Sequence, residues 1–232
     1  MAIHNYMTNR LRGIANQIEP GQVLVDIGTD HAYLPIYAVL TGLVKQAIAV
    51  DIHRPPLLAA QKNIKTFGLQ NSIECRFGNG LQAISECEAD RIVIAGMGGI
   101  TMRTILEDGR MLAQKAHSLI LQPNNHEGDL RKWLSLEGFH RVSEGIIYDR
   151  QHFYQWIKVM YTGQSSPIDS MDMAYGSIAR ETDHPVVRQW LTSEYNRVRI
   201  ALQAMRNATI DVAEKRVEAE KILQFLAEIL KK

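Results

Sequence analysis

Short apolar runs alternating with amphipathic stretches constrain this chain more than any other feature. VLVDIG (23–28), AIAVDI (47–52), IVIAGMGG (92–99) and LILQPNN (119–125) each break at an acid, an amide or a glycine cluster, and SIECRFGNG (72–80) is a shorter run of the same kind. Between them lie YLPIYAVLTG, PPLLAAQKNIKTFGL, ITMRTILEDG and EGDLRKWLSLEG, which read as helices. Strands apolar at consecutive positions must be covered on both faces, and helices between them make neighbouring strands parallel. Pro55 and Pro56 suit the first turn of a helix, whose N–H groups have no helical partner. FHRVSEGIIYDRQHFYQWIKVMY (139–161) gives two strand-like runs joined at Tyr148–Gln151, expected as an antiparallel hairpin at the sheet edge. NYMTNRLRGIANQI (5–18) reads as a helix ahead of the first strand. The predicted fold class is α/β, a Rossmann-like doubly wound sheet with its ligands at the carboxyl ends of the strands.

The pattern changes near residue 162. TGQSSPIDSMDMAYGS carries linker signals, and no proline or glycine occurs after Pro185. Leu191, Val198 and Met205 recur every seven residues, as do Tyr195 and Leu202, then Val212, Ala219 and Leu226, and Ile222 and Ile229. Such spacing keeps one seam facing a partner helix. Residues 206–209 (Arg-Asn-Ala-Thr) are a candidate break, with Asp211 a first-turn acid for a second helix. The expected domains are therefore 1–162, a ligand-binding α/β domain, and 163–232, a linker and an antiparallel coiled-coil hairpin. One long helix in a dimer is the alternative.

Composition narrows the function. A net charge of +1 over 232 residues means that any nucleic-acid surface is a local patch. Cys75 and Cys87 lack metal-ligand spacing and read as free thiols in a reducing cytosol. No apolar run approaches the ~20 residues of a membrane span. The expectation is a cytoplasmic protein with no metal and no membrane partner, with monomer and weak dimer both open.

The loop after the first strand discriminates between cofactors. Asp26 and Asp51 close the first two strands at the spacing of a βαβ nucleotide unit, in which the second acid accepts from ribose hydroxyls. Asp51 also reads as a helix cap ahead of the prolines. A dinucleotide needs glycine-rich backbone near its pyrophosphate. Here Gly28 is followed by Asp30 and His31. A carboxylate about 4 Å from a phosphate charge costs about 4 kcal/mol at an effective dielectric near 20. S-adenosyl-L-methionine carries a sulfonium and an ammonium group and no phosphate, which suits such a loop. The competing reading of Asp30 is a helix cap.

Three further motifs lie on the same expected edge. Gly78 and Gly80 flank Asn79, whose amide suits a cofactor adenine or forms an ordinary turn. Gly96, Gly98 and Gly99 bare the backbone where a flat substrate could slide in. Asn124, Asn125 and His126 either hydrogen-bond a base or cap the next helix.

DIGTDHAYLP, AVDI before a proline-containing helix, GNGL, IAGMGG and LQPN followed by LRKWL together resemble the TrmK family, bacterial tRNA (adenine-N1)-methyltransferases acting on the adenine at position 22. The resemblance covers nearly the whole chain. It implies a class I methyltransferase fold, S-adenosyl-L-methionine as methyl donor and tRNA as partner. By position it places Asp26, Gly28 and His31 in the first cofactor loop, Asp51 at the ribose, Asn79 on the side of the cofactor adenine, and Gly96 and Met97 in the active-site floor; Ile52, Gly78 and Gly80, beside them, are also expected to bind the cofactor. Asn79 departs from the aspartate expected there. The Asn-Pro-Pro-aromatic motif of many N6-adenine methyltransferases is replaced by AGMGG, which disfavours N6 chemistry.

Adenine N1 has its own lone pair and no proton to lose, so positioning suffices for transfer and a carboxylate would stabilise the cationic product. Asp30 is the candidate catalytic residue, with Tyr33 and the 97–99 backbone as walls for a base splayed out of its stack. Arg10 and Arg12, with Arg188, Arg197, Arg199 and Arg206, are the candidate RNA-binding residues. A methyltransferase for another RNA base or a protein, a nicotinamide oxidoreductase on the same fold, and a non-catalytic cofactor sensor are the competing functions.

Overall fold

The computed structural model describes residues 2–86, 88–206 and 213–231, with the side chain of Arg206 outside that description. Cys87, the segment 207–209, Asp211 and Val212 therefore lie outside the described residues. The chain divides into two compact units, Met1–Ile168 and Asp169–Lys232.

In the first unit a short 3-10 turn precedes α1 (Asn9–Ala15), capped by the Thr8 side chain, which accepts from Leu11 N at 3.2 Å. Strands and helices then alternate: β1 (Gly21–Ile27), α2 (Tyr33–Leu40), β2 (Val44–Asp51), α3 (Arg54–Thr66), β3 (Ile73–Phe77), β4 (Arg91–Met97), α4 (Gly99–Asp108), α5 (Arg110–Lys115), β5 (Ser118–Pro123), α6 (Glu127–Leu136), β6 (Phe139–Asp149) and β7 (His152–Tyr161). They build a seven-stranded sheet of order β3-β2-β1-β4-β5-β7-β6. The first five strands pair in parallel, and β7 runs antiparallel to both β5 and β6. The expected hairpin is present, but its second strand lies inside the sheet. β7 pairs antiparallel with β5, which leaves β6 as the edge strand.

Consecutive strand residues serve opposite faces. Val25, Ile27, Ile92 and Ile94 join the core under α4, α5 and α6, while Leu24, Val93 and Ile120 join the core under α1, α2 and α3. This is why the strands read as unbroken apolar runs; each fully buried Leu or Ile contributes about 1.5–3 kcal/mol. LRKWL has a structural use as well. Arg131 on α6 is 1 % exposed and donates from Nε to Glu144 at 2.8 Å, and its guanidinium also reaches Gln155 at 2.5 Å, which binds α6 to the hairpin.

The order in which strands are added reverses between β1 and β4: β2 and β3 extend the sheet one way, β4, β5 and their neighbours the other. Parallel sheets leave their ligand crevice at that switch point, outside the carboxyl ends.

The second unit holds α7 (Ser170–Tyr175), α8 (Pro185–Arg206) and α9 (Ala213–Leu230). Arg188, near the start of α8, donates to the carbonyl of Leu230 at the end of α9 at 2.8 Å, so the two helices run antiparallel. Leu191, Val198 and Leu202 of α8 and Leu226 of α9 are buried, and Tyr175 stacks on Phe225 at 5.9 Å. Two helices stand where the single long helix was the alternative. Among the described residues no helix is long and apolar enough to cross a membrane.

Candidate active site

Two clefts open at the carboxyl ends of the strands, of ≈ 590 and ≈ 580 Å³, and both are lined by Gly28, Ala95 and Gly96. The bare backbone at the ends of β1 and β4 is thus the seam between them. Gly28 has φ +80°, and its N–H and that of Thr29 both donate to Val50 O, at 2.8 and 2.9 Å, which curls the loop over the end of β2. A Cβ on Gly28 would stand 2.1 Å from Met97 Cε; one on Gly96, also at φ +80°, would stand 2.9 Å from a guanidinium nitrogen of Arg10. The left-handed backbone disfavours a side chain at both places, and a Cβ would also require the end of Met97 or of Arg10 to shift.

One cleft gathers Asp51, Ile52, Gly78, Asn79, Gly80 and Met97. The side chain of Asp51 is 12 % exposed; its Oδ1 accepts from His53 N at 2.7 Å. The helix cap is His53, so the capping reading of Asp51 is replaced by a turn that aims the carboxylate along the strand edge. Ile52 is 51 % exposed, an apolar flank suited to a flat ring. Asn79 makes no capping bond and is exposed to the cleft, while Gly80 tolerates no side chain because its Cβ would meet Ile105 at 2.9 Å.

The other cleft gathers Arg10, Asp26, Asp30, His31, Tyr33, Asn124, Asp149, Arg150 and Tyr154, among others. Asp26 is buried, and burial pushes its carboxyl up to about 6; the Thr29 hydroxyl and the Arg10 guanidinium oppose that rise, and Asp51 adds to it. Asp30 has a side chain 78 % exposed and meets His31 at 3.4 Å. It does not cap α2: the cap is Ala32, in the left-handed region with no side-chain bond. The His31 ring stacks on Tyr33 at 5.2 Å, and Tyr33 stacks on Tyr6 at 5.1 Å, a ladder of rings beside the cleft.

The structure redistributes the remaining sequence candidates. Gly98 and Gly99 are not a slot for a flat substrate: a Cβ on Gly98 would meet Asn125 Oδ1 at 2.9 Å, and one on Gly99 would meet His126 O at 2.6 Å. They let the β5–α6 loop lie against the start of α4, where Gly99 N donates to Asn125 O at 3.0 Å. His126 occupies the cap position of α6 without a capping bond and meets Asp129 at 3.0 Å, so of the three neighbours only Asn124 lines the cleft. Arg10 lies inside the cleft: it donates to Gln122 Oε1 at 2.8 Å and lies over the Tyr154 ring at 5.5 Å. Arg12 is exposed and donates to His4 O at 2.8 Å. In the helical unit Arg188 bonds Leu230, Arg197 makes an ion pair with Glu194 at 2.6 Å, and Arg199 makes a 3.5 Å contact with Asn196. Burial pushes the Cys75 thiol up to about 11, which leaves it a poor nucleophile. Among the described residues no group of three or more His, Cys, Asp or Glu side chains is arranged to hold a metal ion.

Sequence reasoning missed Gln122, Asp149 and Tyr154. Gln122 had a signal: it is the polar residue in the otherwise apolar SLILQP run. Asp149 and Tyr154 had none, because the Arg150–Gln151 turn that returns β7 toward the cleft, with φ 49° and 66°, carries no glycine to mark it.

A methyltransferase-domain family model matches residues 7–157. The tRNA (adenine(22)-N(1))-methyltransferase of Bacillus subtilis is 35% identical over 189 residues, 79% of each chain. The crystal structure of the B. subtilis M1A22 tRNA methyltransferase TrmK superposes with a TM-score of 0.84 at 33% identity, covering 97% of this chain and 98% of that one. Streptococcus pneumoniae Sp1610, solved in complex with S-adenosyl-L-methionine, gives 0.84 at 35% identity, covering 97% and 99%. With a doubly wound sheet, paired clefts at its switch point and these matches over nearly its whole length, the chain belongs to the TrmK family of methyltransferases.

Proposed function

We propose that this protein is an S-adenosyl-L-methionine-dependent methyltransferase that methylates N1 of adenine 22 in tRNA. The observation that carries the reading is the pair of clefts meeting at Gly28 and Gly96, with carboxylates rather than a phosphate cradle on both sides. The donor set fits the cofactor. We assign Asp51 to the ribose, Ile52 and Asn79 to the adenine ring, and Asp26 and Asp30 to the sulfonium and ammonium end, which their positions along the two clefts support. S-adenosyl-L-methionine, when bound, supplies an electrophilic methyl group.

The chain's own residues do the rest by positioning and electrostatics. Gly28 and Gly96 let the reactive groups approach the backbone. Asp30, exposed in the cleft, offers a negative charge to the cationic product, and we assign it the catalytic role. The ladder of His31, Tyr33 and Tyr6 is assigned, as a unit, to one wall beside a splayed base. Arg12, Arg188, Arg197, Arg199 and Arg206 are assigned to phosphate contact, the last four in the helical appendage, taken as residues 163–232. Arg10, first expected on the RNA surface, is reassigned to the base end of the cleft. This work belongs in the cytoplasm, where tRNA is.

The test is methyl transfer to unmodified tRNA, with the product nucleoside identified by mass. N1-methyladenosine at position 22, and a thermal shift with S-adenosylhomocysteine but not with NAD, are the expected results. A shift with NAD and no methylated nucleoside would overturn the reading.

A further inference from the structure

Gln122, at the carboxyl end of β5, is 0 % exposed and hydrogen-bonded at both ends of its amide. Its Oε1 accepts from Arg10 at 2.8 Å; its Nε2 donates to Pro123 O at 2.8 Å and to Asn124 Oδ1 at 3.2 Å. Asn124 Nδ2 in turn donates to Gly96 O at 2.8 Å. The polarity of this relay is set from its ends. A guanidinium only donates and a peptide carbonyl only accepts, so neither amide can turn over without placing two donors or two acceptors face to face.

Each of Asn124's polar atoms has used one of two bonding capacities within the relay. One N–H and one carbonyl lone pair remain on adjacent atoms of one amide, on a residue exposed in the cleft that Asp26, Asp30 and Gly96 line. That pair matches adenine at N6/N1 or N6/N7 and cytosine at N4/N3; of the two adenine edges, only the Hoogsteen edge leaves N1 free to react. Adenine offers the N6 amine as donor and N7 as acceptor on its Hoogsteen edge, the pairing an asparagine amide reads bidentately. Held by that edge, adenine keeps N1 uncovered. Guanine presents two acceptors there, O6 and N7, and its O6 would face Asn124 Oδ1.

We propose that Asn124 recognises the acceptor adenine by its Hoogsteen edge, accepting from N6 and donating to N7, and that Gln122, oriented by Arg10, is the positioning residue that fixes the Asn124 amide. The inference rests on the methyl-transfer reading above and names the group that selects the base.

The experiment compares tRNA carrying adenine with tRNA carrying 7-deazaadenine at the target position, using the full-length wild type, Asn124→Ala and Gln122→Glu. The 7-deaza base keeps N1 and the amine and loses the acceptor. Wild type should methylate it about tenfold less efficiently in kcat/KM, the effect of one good base contact. Asn124→Ala should be slow on adenine tRNA and show no further loss on the 7-deaza substrate, while binding S-adenosylhomocysteine as tightly as wild type. Gln122→Glu still accepts from Arg10 but cannot donate to Asn124. It should lower kcat on adenine tRNA and erase the 7-deaza penalty, again with S-adenosylhomocysteine affinity retained, which a merely structural loss would not reproduce. Equal wild-type rates on the two substrates overturn the proposal, as does a penalty that persists in Asn124→Ala. If Asn124→Ala fails to fold, the wild-type comparison and Gln122→Glu still decide. Wild type that methylates neither substrate refutes the parent reading; wild type that makes N1-methyladenosine but ignores N7 refutes this inference alone.

Discussion

Asp26 shows how burial and function pull on one residue. Its carboxyl is held near pH 6, above the ordinary 3.8, chiefly by burial. The folded state therefore holds a proton that the unfolded state releases between about pH 4 and 6, and stability falls as pH rises through that window. Ionised Asp26 costs about 3 kcal/mol above it, and the cost vanishes below about pH 4. Asp26→Asn should thus gain stability over wild type at pH 7.5 and lose that advantage at pH 4, as urea unfolding at the two values will show. Asp30 behaves differently. Its exposed carboxylate contributes little to folding, so Asp30→Ala should change stability by less than about 0.5 kcal/mol. Turnover on tRNA should fall roughly tenfold if, as proposed, its charge stabilises the cationic product in the transition state. Unchanged turnover removes Asp30 from the mechanism. Gly96→Ala combines a left-handed backbone with a Cβ 2.9 Å from the Arg10 guanidinium. It should cost about 1–2 kcal/mol and at least tenfold in S-adenosylhomocysteine affinity, measured by calorimetry.

Helix α6 is attached to the hairpin by a buried ion pair, and the pair defines that element's stability. Glu144 is 0 % exposed between Arg131 at 2.8 Å and Arg141 at 3.3 Å, so removing Arg131 leaves it only the more exposed cation. Arg131→Ala should destabilise the protein by about 3 kcal/mol, the low end for a broken buried pair because Arg141 remains, whereas Arg131→Met with Glu144→Leu should cost clearly less. Urea denaturation of the two variants distinguishes them. The position of β7 is likewise an element-scale property. Both hairpin strands were legible from their apolar residues, but a strand inside the sheet and one at its edge have the same local pattern when each meets a neighbour on at least one side. The choice is made by the pairing of β7 with β5, a contact between distant segments that neither stretch signals alone.

For the whole molecule, charge is spread thinly, and most of the helical arginines already have intramolecular partners. tRNA affinity should decline with rising salt, and Arg199→Gln should reduce the slope of log K against log salt by about one, with cofactor binding unchanged. A filter-binding series at several salt concentrations provides the measurement, and an unchanged slope removes Arg199 from the interface.

The sequence by itself determined the order of strands and helices, the parallel sheet and the acids that close β1 and β2, because these follow from local periodicity and from residues at strand ends. Asp26, Asp51 and Asn79 were readable for the same reason: each is anchored to a strand whose end could be placed. Only the tertiary structure decided that Arg10 enters the cleft, that Gly98 and Gly99 serve packing, and that Gln122 orients Asn124. The residues of that relay come from α1, β4, β5 and the loop after β5, and nothing in their separate stretches indicates that the sheet brings Arg10 within 2.8 Å of Gln122. VLVDIGTDHAYLP announced a cofactor loop without a phosphate cradle; what faces that loop was set by contacts between distant segments, which local pattern does not encode.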